Sequence, residues 1–464
     1  MRITIVGGGP AGYEAALVAA QLGAAVTLVD RDGPGGSCVL TDCVPSKTLI
    51  ATSEAMTALA NSPSLGVRLA GSEPITAGSV EVDPQHVFQR VKALAAAQSA
   101  DIRRRLTSEG VRIVEGSGRL AGPRSVEVTP NDPDGTVETI DSDVVLLALG
   151  ATPRVLETAK PDGHRILNWR QVYDLPSLPE HLIVVGSGVT GAEFANAFGA
   201  LGGRVTLVSS RDRVLPNEDA DAAAVLEEVF ARRGLDVMKE ARASAVHVVG
   251  DTVRVDCVDG RSVEGSHVLM AVGSVPSTAG LGLVEAGVML DATGNIEVDK
   301  VSRTTVPTVY AAGDCTGVLL LASVAAMQGR IAMWHALGEA VEPLRLRSVA
   351  ATIFTEPEIA TVGVTQAEVE EGLVFGVVKK LPLATNARAK MQGITDGFIK
   401  LICRPESGKV LGGVVVAPRA SELILPLAMG VQLGLTVDQV AHTFSIYPSL
   451  SGSITEAARQ LHQS

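Results

Sequence analysis

The chain repeats one unit. RITIVGGGPAGYEAALVAAQLGAAVTLVD, near its start, reads as an apolar strand, a glycine turn, an alanine-rich helix and a second strand. HLIVVGSGVTGAEFANAFGALGGRVTLVSSRDR, from His181, runs through the same order again. Gly7, Gly9 and Gly12 make G-x-G-x-x-G in the first copy, and Gly186, Gly188 and Gly191 make it in the second. A lone motif of this kind is weak. Here each one follows a β-rich run and opens a helix. In that setting the first glycine permits a tight turn, the second lets backbone approach a pyrophosphate, and the helix N-terminus receives the negative charge. The expected fold is α/β, with two Rossmann-like dinucleotide-binding domains.

The copies differ at the end of their second strand. Asp30, eighteen residues after Gly12, can accept hydrogen bonds from ribose hydroxyls. Eighteen residues after Gly191 stands Ser209, followed by Ser210, Arg211 and Arg213. No carboxylate is there to repel a 2′-phosphate, and hydroxyls and arginines can bind one. The second site therefore leans to NADPH, with NADH as the alternative. Solvated loop charge is the competing reading of Arg211 and Arg213. Later, VVLLALGATPR (144–154) and HVLMAVGSVPS (267–277) read as strands completing the two sheets, with Gly150 and Gly273 at their ends as further cofactor-facing candidates. VYAAGDCTG (309–317) places Asp314 at a strand end, where a carboxylate meets a ligand hydroxyl or closes a turn.

A chain of 464 residues suits several domains. From about Arg345 the pattern changes to strands and helices of another kind, a separate α+β domain. The expected boundaries are 1–150 and 276–344 for the first dinucleotide fold, 151–275 for the second and 345–464 for the last domain. Residues 126–139 read as a polar hairpin loop. Aromatics are only 3%, so the cores must rest on Ala, Val, Leu and Gly. A net charge of −12 argues against nucleic acid or acidic membrane as a partner. The glycines at 7–9 interrupt the apolar start, which argues against a signal peptide, and no apolar run is long enough for an integral membrane segment. Five scattered cysteines are not a secreted disulfide framework, and a cytoplasmic location is expected.

GGSCVLTDCVPSK, residues 35–47, holds Cys38 and Cys43. The pair reads as a metal clip, a structural disulfide or an electron-carrying couple. C-x4-C-V-P-S-K after the second strand, between an opening dinucleotide fold and an inserted second one, with an α+β tail, resembles the pyridine nucleotide–disulfide oxidoreductases over essentially the whole chain. The resemblance implies FAD in the first fold at Gly7, Gly9, Gly12 and Asp30, with Ser37 and Lys47 near the flavin and Asp314 at its ribityl or pyrophosphate region. It implies that Lys47 approaches flavin N5 and pairs with Glu193, and that NAD(P)H occupies Gly186 to Gly191 and the strand end beyond. It implies Cys43 as the inner thiol, Cys38 as the outer interchange thiol, and a C-terminal dimerisation domain forming a homodimer. A zinc clip is disfavoured because no second Cys or His pair has ligand spacing, and no metal is expected. Cys257, Cys315 and Cys403 read as buried thiols.

One departure bears on the acceptor. Disulfide-reducing members of that family carry a C-terminal His–Pro stretch whose His, held by a Glu, moves the proton in thiol–disulfide interchange. This chain reads SIYPSLSGSITEAAR, which puts Tyr447 at the His position, Ser449 at the Thr and Gly452 at the Glu. A phenol, titrating near ~10, serves that step poorly at neutral pH. His442 and Glu456 are the nearby alternatives. A quinone takes hydride or single electrons without such a base. LPLATNARAKM, VVAPRASELILP and YPSLSGSITEAAR resemble a lipoamide-dehydrogenase-like NAD(P)H quinone reductase branch. The expected activity is therefore NAD(P)H oxidation with quinones or similar acceptors. The alternatives are an NADPH-dependent disulfide reductase using Cys38 and Cys43, and a non-catalytic flavoprotein subunit.

Overall fold

The computed structural model describes residues 1–68 and 80–462, and the chain divides into two compact units. One comprises Met1–Thr48, Phe88–Arg154 and Gly273–Leu344, and the other Leu49–Val87, Val155–Val272 and Arg345–Ser464.

The first unit opens with strand β1 (Arg2–Val6), helix α1 (Pro10–Gln21) and strand β2 (Ala25–Asp30). A short helix α2 (Gly36–Leu40) and a long helix α3 (Cys43–Asn61) follow. Residues 49–87, counted with the first fold on sequence, group with the second unit, because α3 carries the chain out of the first after Thr48. The seven-stranded sheet runs Val309–Ala311, Val144–Leu147, β1, β2, Arg112–Gly122, Ser125–Pro130, Glu138–Asp141. Its first five strands are parallel, and Val6 pairs with both Val29 and Leu147, so three strand ends finish level at the glycine turn. These strands are buried on both faces and so read as unbroken apolar runs rather than alternation. Small residues of α1, Ala11, Ala15 and Ala19 among them, pack into one core with Ala325, Ala332 and Met333 of helix Ala322–Ala336. Residues 126–139 do form a hairpin, but its arms are paired strands (Val126 with Ile140, Val128 with Glu138), and the polar loop shrinks to the turn between them.

In the second unit, strand β3 (His181–Val185), helix α4 (Val189–Ala200), strand β4 (Arg204–Val208) and helix α5 (Ala220–Arg232) repeat the first arrangement. Their parallel sheet runs Asp236–Met238, β4, β3, His267–Met270, Ile166–Leu167. The same unit carries an antiparallel five-stranded sheet, Ala350–Ile353, Glu358–Gly363, Val410–Ala417, β5 (Phe398–Cys403), Val377–Pro382, covered by helices that include Leu425–Leu433 and Gly452–Arg459. Its core joins Ile399, Leu401 and Val415 to Leu427 and Ile454. This is the α+β domain expected after Arg345. One polar group crosses within this unit. Lys400 of β5 is 1% exposed, and its Nζ lies 2.6 Å from Asp219 Oδ2 and 2.7 Å from Asp221 Oδ2 at the start of α5.

Candidate active site

In the first unit the chain turns at Gly7, whose φ of +104° is left-handed, and enters α1 through extended Gly9. A Cβ at Gly12 would stand 1.8 Å from Gly7 O, so helix and turn approach as closely as backbone permits. A Cβ at Gly9 would meet nothing within 4 Å. That open space lies before a helix with no side-chain cap and no acidic residue in its first turn, where a pyrophosphate can accept the leading N–H groups. Beside it Asp30 Oδ2 accepts from Gly8 N–H at 2.5 Å, and Oδ1 accepts from the N–H groups of Asp32 and Gly33 at 2.8 and 2.6 Å. Burial pushes the Asp30 carboxyl upward against the pull of those three donors. The residues fit a dinucleotide.

Cys38 lies in α2 and Cys43 begins α3; both are half-buried free thiols. They hydrogen-bond to each other, and the shared proton lowers the Cys38 thiol and raises that of Cys43. Lys47 favours the anion on either sulfur, and Asp42 opposes it on both. The mutual hydrogen bond favours the anion on Cys38 over Cys43. Asp42, standing between the two cysteines, is a charge the sequence reading passed over. Asp314 follows Gly313 at the end of its strand; burial, and then Asp42, push its carboxyl up to about 6. Ser37 is exposed in α2 and approaches Thr41 Oγ1 at 3.2 Å. Gly150 and Gly273 both have positive φ, +67° and +91°. Cys257, Cys315 and Cys403 are buried.

The second unit has its own turn. Gly186 (φ +112°) and extended Gly188 lead into α4, and a Cβ at Gly191 would stand 1.8 Å from Gly186 O. The space beside Gly188 is open and α4 has no side-chain cap, as at Gly9. Ser209 differs from the reading that made it a phosphate ligand. It is wholly buried, with its Oγ 2.7 Å from Ser187 Oγ and accepting from Arg211 N–H at 3.1 Å. Ser210 and Arg211 are the exposed groups, while Arg213 donates to the carbonyls of Pro216 and Glu218 and so braces the loop. Glu193 is buried in α4, where its Oε1 accepts from Phe354 N–H at 2.9 Å. One turn on, Asn196 Oδ1 accepts from Glu356 N–H and from Arg233 Nη1 at 3.3 and 3.2 Å. The segment 354–356 thereby grips the Glu193 face of α4, a linkage that no local pattern announces.

Near the C-terminus Tyr447 is 85% exposed, beside exposed Phe444 and Ile446. Glu456 is engaged elsewhere. It accepts from Arg459 Nε and Nη2 and from Gln460 Nε2, each at 2.7 Å, and the Arg459 bond holds its carboxyl down at about 2. His442 places Nδ1 2.7 Å from the Asp438 carbonyl oxygen.

Residues 1–329 match the family model described as pyridine nucleotide-disulphide oxidoreductase, and residues 349–458 match the dimerisation domain of the same family. The chain belongs to that family. As an oxidoreductase of this family it uses FAD and NAD(P)H. A relative from Mycobacterium tuberculosis named NAD(P)H dehydrogenase (quinone) is 56% identical over 467 residues, covering 99% of this chain and 94% of the relative. A dihydrolipoyl dehydrogenase from Haloferax volcanii is 33% identical, covering 98% and 95%. Among solved structures, LpdA from Mycobacterium tuberculosis superposes with a TM-score of 0.94 at 55% identity, covering all of both chains. Among the described residues no helix is long and apolar enough to cross a membrane, and no cluster could hold a metal ion.

Asp314 gives a pH prediction. A carboxyl held at about 6 in the fold and titrating near 3.8 when unfolded keeps its proton longer in the native state. Stability is therefore greatest below the unfolded value and falls as pH rises toward about 6. Asp314→Asn is expected to stabilise the FAD-free protein by about 1–2 kcal/mol at pH 8 and not at pH 4. Thermal melts of the FAD-free proteins at the two pH values check this; equal shifts at both would contradict it.

Proposed function

We propose that this chain is a homodimeric flavoenzyme that oxidises NADPH, and less well NADH, and passes the electrons to quinones or similar acceptors. Bound FAD supplies the two-electron chemistry, taking a hydride equivalent and returning electrons to the acceptor. The chain's own groups do the rest. Gly7, Gly9 and Gly12 open the cradle for one pyrophosphate, Asp30 orients a ribose, and Asp314 meets a further hydroxyl. Gly186, Gly188 and Gly191 hold the second dinucleotide, with Ser210 and Arg211 toward a 2′-phosphate. Lys47 and Glu193 take the flavin-side roles that the family likeness assigns, and Tyr447, at the exposed end, offers a phenol proton.

The observation that carries the acceptor is the missing acid–base pair. Tyr447 and Gly452 replace the His and Glu of disulfide reducers, and Glu456 is already committed to Arg459 and Gln460. Loss of a general acid–base costs on the order of 10²–10⁴ in rate, which disfavours disulfide substrates while leaving quinones accessible. The name of the mycobacterial relative supports the same acceptor. The family's dimerisation domain and the exposed Phe444, Ile446 and Tyr447 support a homodimer. A cytoplasmic location is part of the same proposal. A disulfide reductase remains the second reading because the Cys38 thiol is lowered toward the reactive thiolate. NADPH oxidation by the FAD-loaded protein, with a soluble quinone and a panel of small disulfides side by side, tests the choice. Quinone turnover is expected to exceed that of every disulfide by at least ~100-fold. A disulfide turned over as fast as the quinone would refute the reading.

A further inference from the structure

The two glycine turns differ at their middle position, and the strand ends beside them differ to match. Gly8 lies between Gly7 and Gly9, and its N–H donates to Asp30 Oδ2 at 2.5 Å. A Cβ built on Gly8 would stand 3.0 Å from that oxygen and 3.1 Å from Asp30 Cβ and Cγ, so the carboxylate occupies the space a side chain would need. In the second unit Ser187 holds the place of Gly8, and Ser209 that of Asp30. Their hydroxyl oxygens are 2.7 Å apart, with Ser187 6% exposed and Ser209 fully buried. Equivalent volumes are filled in two ways: by one carboxylate facing bare backbone, or by two hydroxyls facing each other.

We propose that Ser187 is a specificity-determining residue of the second dinucleotide site. It fills the room that a ribose-binding carboxylate at position 209 would require, and so reserves the strand end for a 2′-phosphorylated dinucleotide. This rests on the NADPH reading above. It adds that positions 187 and 209 act as one unit, their buried hydroxyls turned to each other. An aspartate at 209 opposite Ser187 loses room and gives up the hydroxyl pairing, although it can still accept from Arg211 N–H as Asp30 does from Asp32 N–H. With glycine at 187, the geometry of Gly8 and Asp30 becomes available.

The test is a double-mutant cycle on the FAD-loaded enzyme: wild type, Ser187→Gly, Ser209→Asp and the double variant. The readouts are kcat/KM for NADPH and NADH, flavin content and melting temperature. Ser209→Asp alone is expected to melt lower and to move the NADPH/NADH ratio by less than ~5-fold, whereas the double variant moves it roughly 100-fold toward NADH. A single Ser209→Asp change that shifts the ratio as far as the double variant would overturn the proposal, as would a double variant no better than the single. If wild type itself prefers NADH, the NADPH reading fails. The coupling is then still decided by whether kcat/KM for NADH rises more in the double variant than the singles predict. If Ser209→Asp does not fold, Ser209→Asn with and without Ser187→Gly reads the same coupling as rescue of melting temperature, and absence of rescue overturns it.

Discussion

Gly191→Ala removes NADPH turnover and leaves the flavin bound; that is the expected result. The added methyl carbon would stand 1.8 Å from Gly186 O and 3.4 Å from Val184 Cγ1. The first contact is with backbone, so no side-chain rotation relieves it. α4 must lift from β3, and the leading N–H groups of the helix move off the place where the pyrophosphate would bind. Overpacking of this kind costs about 1–3 kcal/mol in stability. The larger loss is in binding, because backbone donors act only at hydrogen-bond distance, and NADPH turnover should fall at least ~100-fold. Gly12→Ala is the matched control. Its Cβ would meet Gly7 O at the same 1.8 Å in the other fold, so it should purify without flavin. Absorbance reports flavin content, and dithionite set against NADPH as reductant separates flavin binding from hydride supply. An exchange of the two phenotypes would mean that the cofactors are assigned to the wrong folds.

Lys400→Met should destabilise the protein by about 3–5 kcal/mol without touching either dinucleotide site. The lysine is buried to 1% between Asp219, 6% exposed, and Asp221, 36% exposed. Lys380 contacts Asp221, the outer carboxylate, at 2.8 Å. Removing the ammonium therefore leaves the Asp219 carboxylate in a dry site with its main counter-charge gone. Asp219 also caps α5, accepting from Ala222 N–H at 3.1 Å, so the helix start is weakened with it. Asp219→Asn keeps an oxygen for the cap and removes the charge. Combined with Lys400→Met, it should recover more than half of the loss. Chemical denaturation of the FAD-loaded single and double variants measures this. A loss below ~1 kcal/mol for Lys400→Met would place the pair among interactions of no net worth.

These two cases also mark what the sequence makes legible. Gly186, Gly188 and Gly191 announce themselves because the turn, the open approach and the close contact all fall within a few residues of one another, where local sterics decide. The absent carboxylate at 209 is equally plain. The burial of Ser209 is not, because it depends on Ser187, on the far side of α4 in the chain. Lys400 lies further out of reach. GFIKLIC sets one lysine in an apolar run, and only the fold brings Asp219 and Asp221 over it. Asn196 and Arg233 join the 354–356 segment for the same reason: their partners are distant in sequence. Asp42 is plain beside the cysteines, but that Asp314 joins it in opposing the Cys38 anion is set by the fold.

The most direct test of the acceptor is Cys38→Ala, assayed as NADPH-driven reduction of a soluble quinone by the FAD-loaded enzyme. If electrons leave for the quinone without passing through the cysteine pair, kcat stays within about threefold of wild type. A fall of ~100-fold or more, with flavin content unchanged, would put Cys38 in the path of the electrons and contradict the account.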